Sequence, residues 1–323
     1  MLYKRIVEEG TAAEPGGVPD PQFALSSTIN WMRALALLVE HRALNFASAR
    51  SFYAAVGRRS SSPQEENTIL EQLFFALHQL AALAALRAVP RQADVARVGI
   101  VTWYYGIYYA ASAMIAAQDG SVQDAHAGTA NRWDCHFAER RRAMPPFDLR
   151  VSTLIEKVTK MEIVALRAGN DFDLKTRAST PADAVGACCA YLSGTANWYR
   201  WRSAEDLRHK REFKELGVTD FRTKAARQLR DQHLGHKSVS FLHQAFRYRG
   251  KANYREALFL GYGSGTNKLL SGYVDDLATV LAAFVSMAGA FASRRLGESL
   301  WGDFVGDVEN RRAFSLSPEH VWS

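Results

Sequence analysis

The chain has 323 residues, 48% of them apolar and 23% charged, with 22 Gly and 9 Pro. That composition supplies a sizeable core and excludes a disordered, collagen-like or low-complexity polymer. Three cysteines, two of them adjacent (Cys188, Cys189), cannot build a disulfide framework and point to a reducing, cytoplasmic compartment. The opening MLYKRIVEEG mixes charges and has no apolar stretch, so a secretory signal is not expected. The net charge of +7 is unevenly spread. Arg200 to Arg255 holds 15 Lys and Arg against 6 Asp and Glu, while the rest of the chain holds 25 against 27. So dense a basic segment predicts a polyanionic partner, most simply nucleic acid; the plain alternative is a solvated helix face.

In chain order, residues 1–24 read as irregular. Helical periodicity begins near Ser26 or Ser27 and puts Trp31, Leu35, Leu38 and Val39 on one face. The loop Gly57 to Pro63 is basic and Ser-rich. It ends with Ser62 as a cap, Pro63 at the first helical position and Glu65 placed to return the capping bond. That helix predicts a stop before Pro90. A long apolar helix follows from Asp94 to Gln118, closed by Asp119-Gly120. Residues 119–149 read as loop and include His126, His136 and the run Arg140 to Arg142. The next helix starts near Ser152, with Leu154, Ile155, Val158, Met161 and Ala165 as its apolar stripe, and closes at Gly169-Asn170. Thr180-Pro181 opens a helix expected to reach Leu216, with Gly217 as C-cap, and Thr219-Asp220 caps another. Gly261 to Gly265 breaks the chain before a final helix, Tyr273 to Leu296. Phe314 to Trp322 reads as extended. No Val/Ile/Thr-rich alternating run appears, so the predicted class is all-α.

Val98 to Gln118 and Leu277 to Ser293 carry no charge over 21 and 17 residues, and Leu73 to Leu86 is similarly apolar. Four tyrosines in the first stretch and a mean hydropathy of −0.19 favour buried core helices, so no membrane is expected. Gly261 to Lys268 fails as a phosphate loop, because no Gly precedes Lys268 and no Ser or Thr follows it. Cys135-His136 with His126 lacks paired ligand spacing. Neither a metal site nor a cofactor is expected.

One stretch is more specific. Tyr104-Tyr105-Gly106-Ile107-Tyr108-Tyr109-Ala110-Ala111-Ser112-Ala113-Met114-Ile115 is followed, after Gly120, by His126-Ala127-Gly128. This resembles the signature of HEPN (higher eukaryotes and prokaryotes nucleotide-binding) domains, where a helix of the form Y-Y-A-x-F-x-A-A-x-A-L-L leads through a glycine turn to H-x-G. Downstream, Arg249-Gly250-Lys251-Ala252-Asn253-Tyr254-Arg255 resembles the family's R-x-x-A-D-Y element, with Asn253 in place of Asp. Tyr273 to Ala292 fits its last helix. The resemblance implies a HEPN-like helical bundle with additional helices. The bundle would span residues 25–136 and 245–300, with an inserted basic helical region at 137–244 and a C-terminal tail at 301–323.

HEPN nucleases resemble metal-free RNA cleavers and use R-x4–6-H. The RNA 2′-hydroxyl attacks its neighbouring phosphate, a histidine moves the proton, and an arginine steadies the developing charge. Two overlapping pairs have that spacing: Arg227 with His233, and Arg230 with His236. Arg227, Arg230, His233 and Lys237 advance by three or four residues, so they predict one cationic helix face that His236 can join. Asp231 beside Arg230 favours the first pair. Lys237, Arg200, Arg202, Arg249, Lys251 and Arg255 are candidate RNA contacts. Trp198, Tyr199 and Trp201, interleaved with Arg200 and Arg202, read as base-stacking groups or, better, as core. Arg132 and His136 are one residue short of the spacing. His126 reads as a fastening at a helix end. The resemblance thus implies a cytoplasmic RNA-binding homodimer. Metal-independent endoribonuclease activity is its enzymatic reading, in a toxin–antitoxin or antiviral defence module with a protein partner. The alternative is a non-catalytic scaffold or dimerisation subunit.

Overall fold

Cap chemistry sets most of the helix limits. The computed structural model describes residues 21–253, 257–263 and 265–323. Among them the chain is helical, with one isolated antiparallel bridge between Val151 and Val239 and no strand. α1 (Pro21–His41), α2 (Phe46–Phe52), α3 (Pro63–Arg87) and α4 (Gln92–Asp119) come first. Ser62 caps α3 as its spacing predicts. Glu65 N–H donates to its Oγ at 3.3 Å, and Ser62 N–H donates to the Glu65 carboxylate at 2.7 Å. Gly120, at φ +77°, closes α4 in the left-handed conformation that glycine adopts without strain. The region 119–149 is not all loop: it contains α5 (His126–Trp133), continued by a π-type turn (Asp134–Ala138). α6 (Glu156–Arg167), α7 (Pro181–Arg208), α8 (Arg211–Lys214), α9 (Lys224–Gly235) and α10 (Phe241–Asn253) follow. The last are α11 (Leu258–Gly261), α12 (Thr266–Leu269), α13 (Tyr273–Leu296), α14 (Glu298–Arg311) and α15 (Glu319–Trp322). α7 stops at Arg208, short of Leu216, and Thr223 rather than Thr219-Asp220 caps α9.

The core is built around α13, whose stretch from Val280 to Ser293 is buried except at Ala282. An uncharged helix of that length cannot face water at low cost, and α1, α2, α3 and α4 cover it. The helix carrying Tyr104–Ile115 packs against the one carrying Tyr273–Ala292. Gly106 makes the contact close, since a Cβ there would lie 2.6 Å from both Leu281 methyl groups. Beside α13, Trp31 stacks on Tyr191 at 4.1 Å and meets Tyr248 at 4.8 Å and Trp103 at 6.0 Å. The segment expected as an extended tail ends in α15. Trp322 seats its indole against Gly289 and donates to the Val285 carbonyl at 3.2 Å, so burial of the ring orders it.

The region 137–244 feeds two cores. Met144, Phe147, Leu174, Ala184, Cys188 and Tyr191 join the main one, while Val151, Leu154, Ile163, Leu192, Leu234 and Val239 gather in a smaller one. The stripe expected on α6 points the other way. Val158 and Met161 are 38% and 64% exposed, whereas Thr159 and Ile163 are buried. The physical reason is local: Leu154 belongs to an extended segment tied to Leu234 and Val239. Thr159 then donates to the Thr153 carbonyl at 2.8 Å, which sets the helix phase. Among the described residues, two helical segments, Pro63–Arg87 and Thr266–Leu296, are long and apolar enough to cross a membrane; 39% and 89% of their apolar windows are buried inside the protein.

Gly106→Val forces a branched side chain onto Leu281. It is expected to destabilise by about 1–3 kcal/mol, as overpacked cores do. Gly302→Ala, which meets nothing within 4 Å, should be neutral or slightly stabilising. Urea unfolding followed by circular dichroism checks both.

Candidate functional site

Where the two cores meet, a cavity of about 570 Å³ opens between α5, the π-type turn, residues 150–154, α7, the end of α9 and α10. Asp134 forms its floor and is only 3% exposed. Arg150 Nε donates to both Asp134 oxygens at 3.0 and 3.2 Å, and Ser238 Oγ donates at 2.6 Å. A buried carboxylate is tolerable with so complete a shell. Beside it lies buried His243. The Ser240 N–H donates to its Nδ1 at 3.3 Å, so the ring proton sits on Nε2 and donates to Asn131 Oδ1 at 2.9 Å. Burial is the main cause that holds this imidazole well below the ordinary histidine range. Tyr199 meets His243 edge-on at 5.6 Å, and burial pushes its hydroxyl up to about 12.

The walls carry cations. Lys237 donates to Ser203 Oγ at 3.1 Å, and exposed His236 opens into the cavity. At the rim, Phe246 stacks on His126 at 5.8 Å. Arg249 Nη1 lies 3.1 Å from His126 Nε2, and its guanidinium sits over Tyr104 at 4.9 Å and Phe246 at 5.0 Å. Arginine can only donate, so His126 Nε2 accepts and the ring proton is on Nδ1, which is out of solvent and without a partner. Burial first, then the charge of Arg249, lowers the His126 pKa and keeps the ring neutral at pH 7.

Neither of the two sequence-predicted Arg/His pairs meets. Arg227 is exposed on α9, while His233 Nε2 is out of solvent with no bond to it. Arg230 pairs with Asp231 at 2.8 Å and lines a separate cavity of about 380 Å³ with Glu156 and Lys160, whereas His236 lines the main cleft. Helical spacing gave these groups one stripe, but α9 ends at Gly235 and Lys237 turns away onto Ser203. Arg200 holds the Leu154 carbonyl at 2.9 Å, and Arg202 pairs with Asp206 at 3.5 Å. Lys251 differs from the expected solvent-facing phosphate contact. It is 8% exposed and donates to Ser27 Oγ at 3.0 Å, a tie between α10 and α1. Arg255 lies outside the described residues. Trp198 and Trp201, better read as core, are 37% and 54% exposed. Arg249 and His126, from distant segments, are the predicted residues brought into direct contact.

Sequence reasoning missed Asp134, Arg150, Asn131 and His243. No motif marks them, because their bonds join segments more than ten residues apart. Among the described residues no three His, Cys, Asp or Glu side chains gather in a way that could hold a metal ion. No family model, no curated protein and no solved structure matches the chain.

Neutral His243 links stability to pH. Its folded pKa lies below the ordinary 6.5, so the unfolded chain takes up a proton first as pH falls. The contribution is full above pH 6.5 and is lost as pH falls through the folded value. In urea titrations at pH 7.5 and 5.0, the wild type should lose more stability than His243→Asn. Equal losses would show that His243 is not the linked group.

Proposed function

We propose that the chain is a HEPN-like RNA-binding protein that cleaves RNA in this cleft without a metal. One observation carries the reading. Tyr104, His126 and Arg249 come from the three separate segments that resemble the family, and they form one contact around Phe246, which lines the cleft together with His236 and Lys237. In the proposed reaction Arg249 turns from His126 to a non-bridging phosphate oxygen. That frees Nε2 of His126 to take the proton of the 2′-hydroxyl as its oxygen attacks phosphorus. The bond to the 5′ oxygen breaks, His236 returns a proton to it, and a 2′,3′-cyclic phosphate remains. Lys237 holds the next phosphate. The Arg227 and His233 pair of the sequence is kept as a binding face on α9 rather than as the reacting pair.

The basic segment 200–255 supports binding with a qualification. Arg202, Arg208, Arg211, Arg222 and Arg230 each pair with a nearby acid, and those acids are five of the six in the segment. Exposed pairs of this kind contribute about 0–1 kcal/mol each, so their main effect is to cancel local field. The excess charge rests on other cations, among them Lys210, Lys214, Lys224, Arg227, Lys237 and Arg249.

A second reading has its own support. Val158, Met161 and Val164 on α6 are 38%, 64% and 68% exposed. Such a stripe suits a non-catalytic subunit that docks a protein partner, or a homodimer.

RNA binding should weaken steeply as salt rises, and cutting should persist in a chelator and spare DNA. His126→Ala should slow cutting about a hundredfold with binding nearly intact, while Arg249→Gln should reduce both. Gel assays with a labelled single strand check this. RNA bound tightly but never cut would favour the scaffold, and absence of binding at low salt would end the RNA reading. Light scattering separates monomer from dimer.

A further inference from the structure

A group of guanidinium ions lies outside the cleft. It is assembled from three segments: the basic loop before α3, the run Arg140 to Arg142, and the end of α13. Arg59 donates from Nε and Nη2 to the Ala117 and Ala116 carbonyls at the end of α4, at 3.2 Å each, and pairs with Glu65 at 3.1 Å. Arg142 and Arg295 converge on one neutral oxygen, Gln118 Oε1, at 3.3 and 2.8 Å. Arg295 also reaches the Gly57 carbonyl at 3.2 Å, and its Nε is out of solvent with no partner. Among the described residues, neither Arg142 nor Arg295 has a carboxylate within ion-pair distance. The acids close by in sequence are engaged elsewhere: Glu139 with Arg150 at 3.2 Å, Glu298 with Arg50, and Asp119, next to Gln118, with Arg132 at 2.6 Å.

Glu65 compensates Arg59, while Arg142 and Arg295 have no such partner among the described residues. Burial, then the charges of Arg142 and Arg59, press against the Arg295 guanidinium. A guanidinium keeps its charge under any working condition. A helix C-terminus supplies only about half a negative charge, and Arg59 already uses the end of α4. An anion relieves this repulsion. Planar forks with unused N–H groups match the oxygens of a phosphate group, and a dianion matches the two charges that lack a carboxylate.

We propose that Arg59, Arg142 and Arg295 form the floor of a binding site for a phosphate-class oxyanion, at the C-terminal ends of α4 and α13. Exposed Arg58 and Arg141 adjoin it in sequence and extend the positive surface outward. The ligand is a phosphate group of a polynucleotide backbone or of a small phosphorylated compound; the recognising chemistry is the same. The site stands on these arginines alone and does not depend on RNA cleavage in the cleft.

The test uses the full chain, inorganic pyrophosphate and isothermal titration calorimetry, with Arg142→Gln and Arg295→Gln as variants and thermal melts of each. Pyrophosphate should bind the wild type saturably and raise its Tm. Each variant should bind at least tenfold more weakly, the loss expected for a charge-assisted hydrogen bond. Without anion, Arg142→Gln should melt no lower than the wild type, because it removes repulsion. If a single-stranded RNA oligonucleotide competes with pyrophosphate and loses affinity in both variants, the source is a polynucleotide. Pyrophosphate binding without that competition assigns a small phosphorylated compound. Two results overturn the site: no saturable binding of either probe that depends on these arginines, or an anion-free Arg142→Gln that melts several degrees lower. The second would make the arginines clamps on helix ends and nothing more.

Discussion

The structure depends on covering α13. Its central stretch offers no charge on any face, so helices must sheathe it on all sides, and α1, α2, α3 and α4 do so. Charge is confined to its ends. At the N-terminal end Asp275 pairs with Arg87 at 2.6 Å, and buried Asp276 pairs with Arg33 at 2.8 Å. At the other end stand Arg294 and Arg295. Acids near a helix N-terminus and arginines near its C-terminus follow the helix dipole. The same order puts Arg295 beside the equally apolar α4, whose C-terminal end draws in Arg59. A demand of core packing therefore concentrates arginines at one pole of the molecule.

The cleft arises where this packing stops. Residues 150–154 bond to the end of α9 at Leu234 and to Val239 beyond it instead of joining a helix, and the smaller core holds Val151, Leu154, Leu234 and Val239. Polar groups at such a seam cannot all reach water. Arg150 with Asp134, and His243 with Asn131, satisfy one another there. Their geometry is directional, so it fixes the positions of the elements that hold His236, Lys237 and Phe246 more tightly than apolar contact would.

Arginine and lysine divide the cationic work. The lysines of the α7–α9 region stand where water can screen them, except Lys237, which is half-buried against Ser203. Arg249 uses the flat face of its guanidinium on Tyr104 and Phe246 while one N–H holds His126. Arg142 and Arg295 share a single neutral oxygen. Neither arrangement would survive replacement by a point-charge ammonium, since both rely on a planar fork.

The sequence by itself determined the class and most helix limits. Ser62-Pro63 with Glu65, Thr180-Pro181 and Asp119-Gly120 are all local signals, read within a few residues. It also singled out the segments carrying Tyr104, His126 and Arg249. Only the tertiary structure decided which faces those helices present. Met161 turned outward because residues before α6 were captured by a distant bridge. Arg230 and His236 parted because α9 ends between its last turn and the cleft. The cluster of Arg59, Arg142 and Arg295 escaped any count of charge along the chain, because its members are scattered among acids in three segments. Periodicity and capping act over one or two turns, whereas a site is the meeting of side chains from segments far apart. That meeting is set by how the core packs.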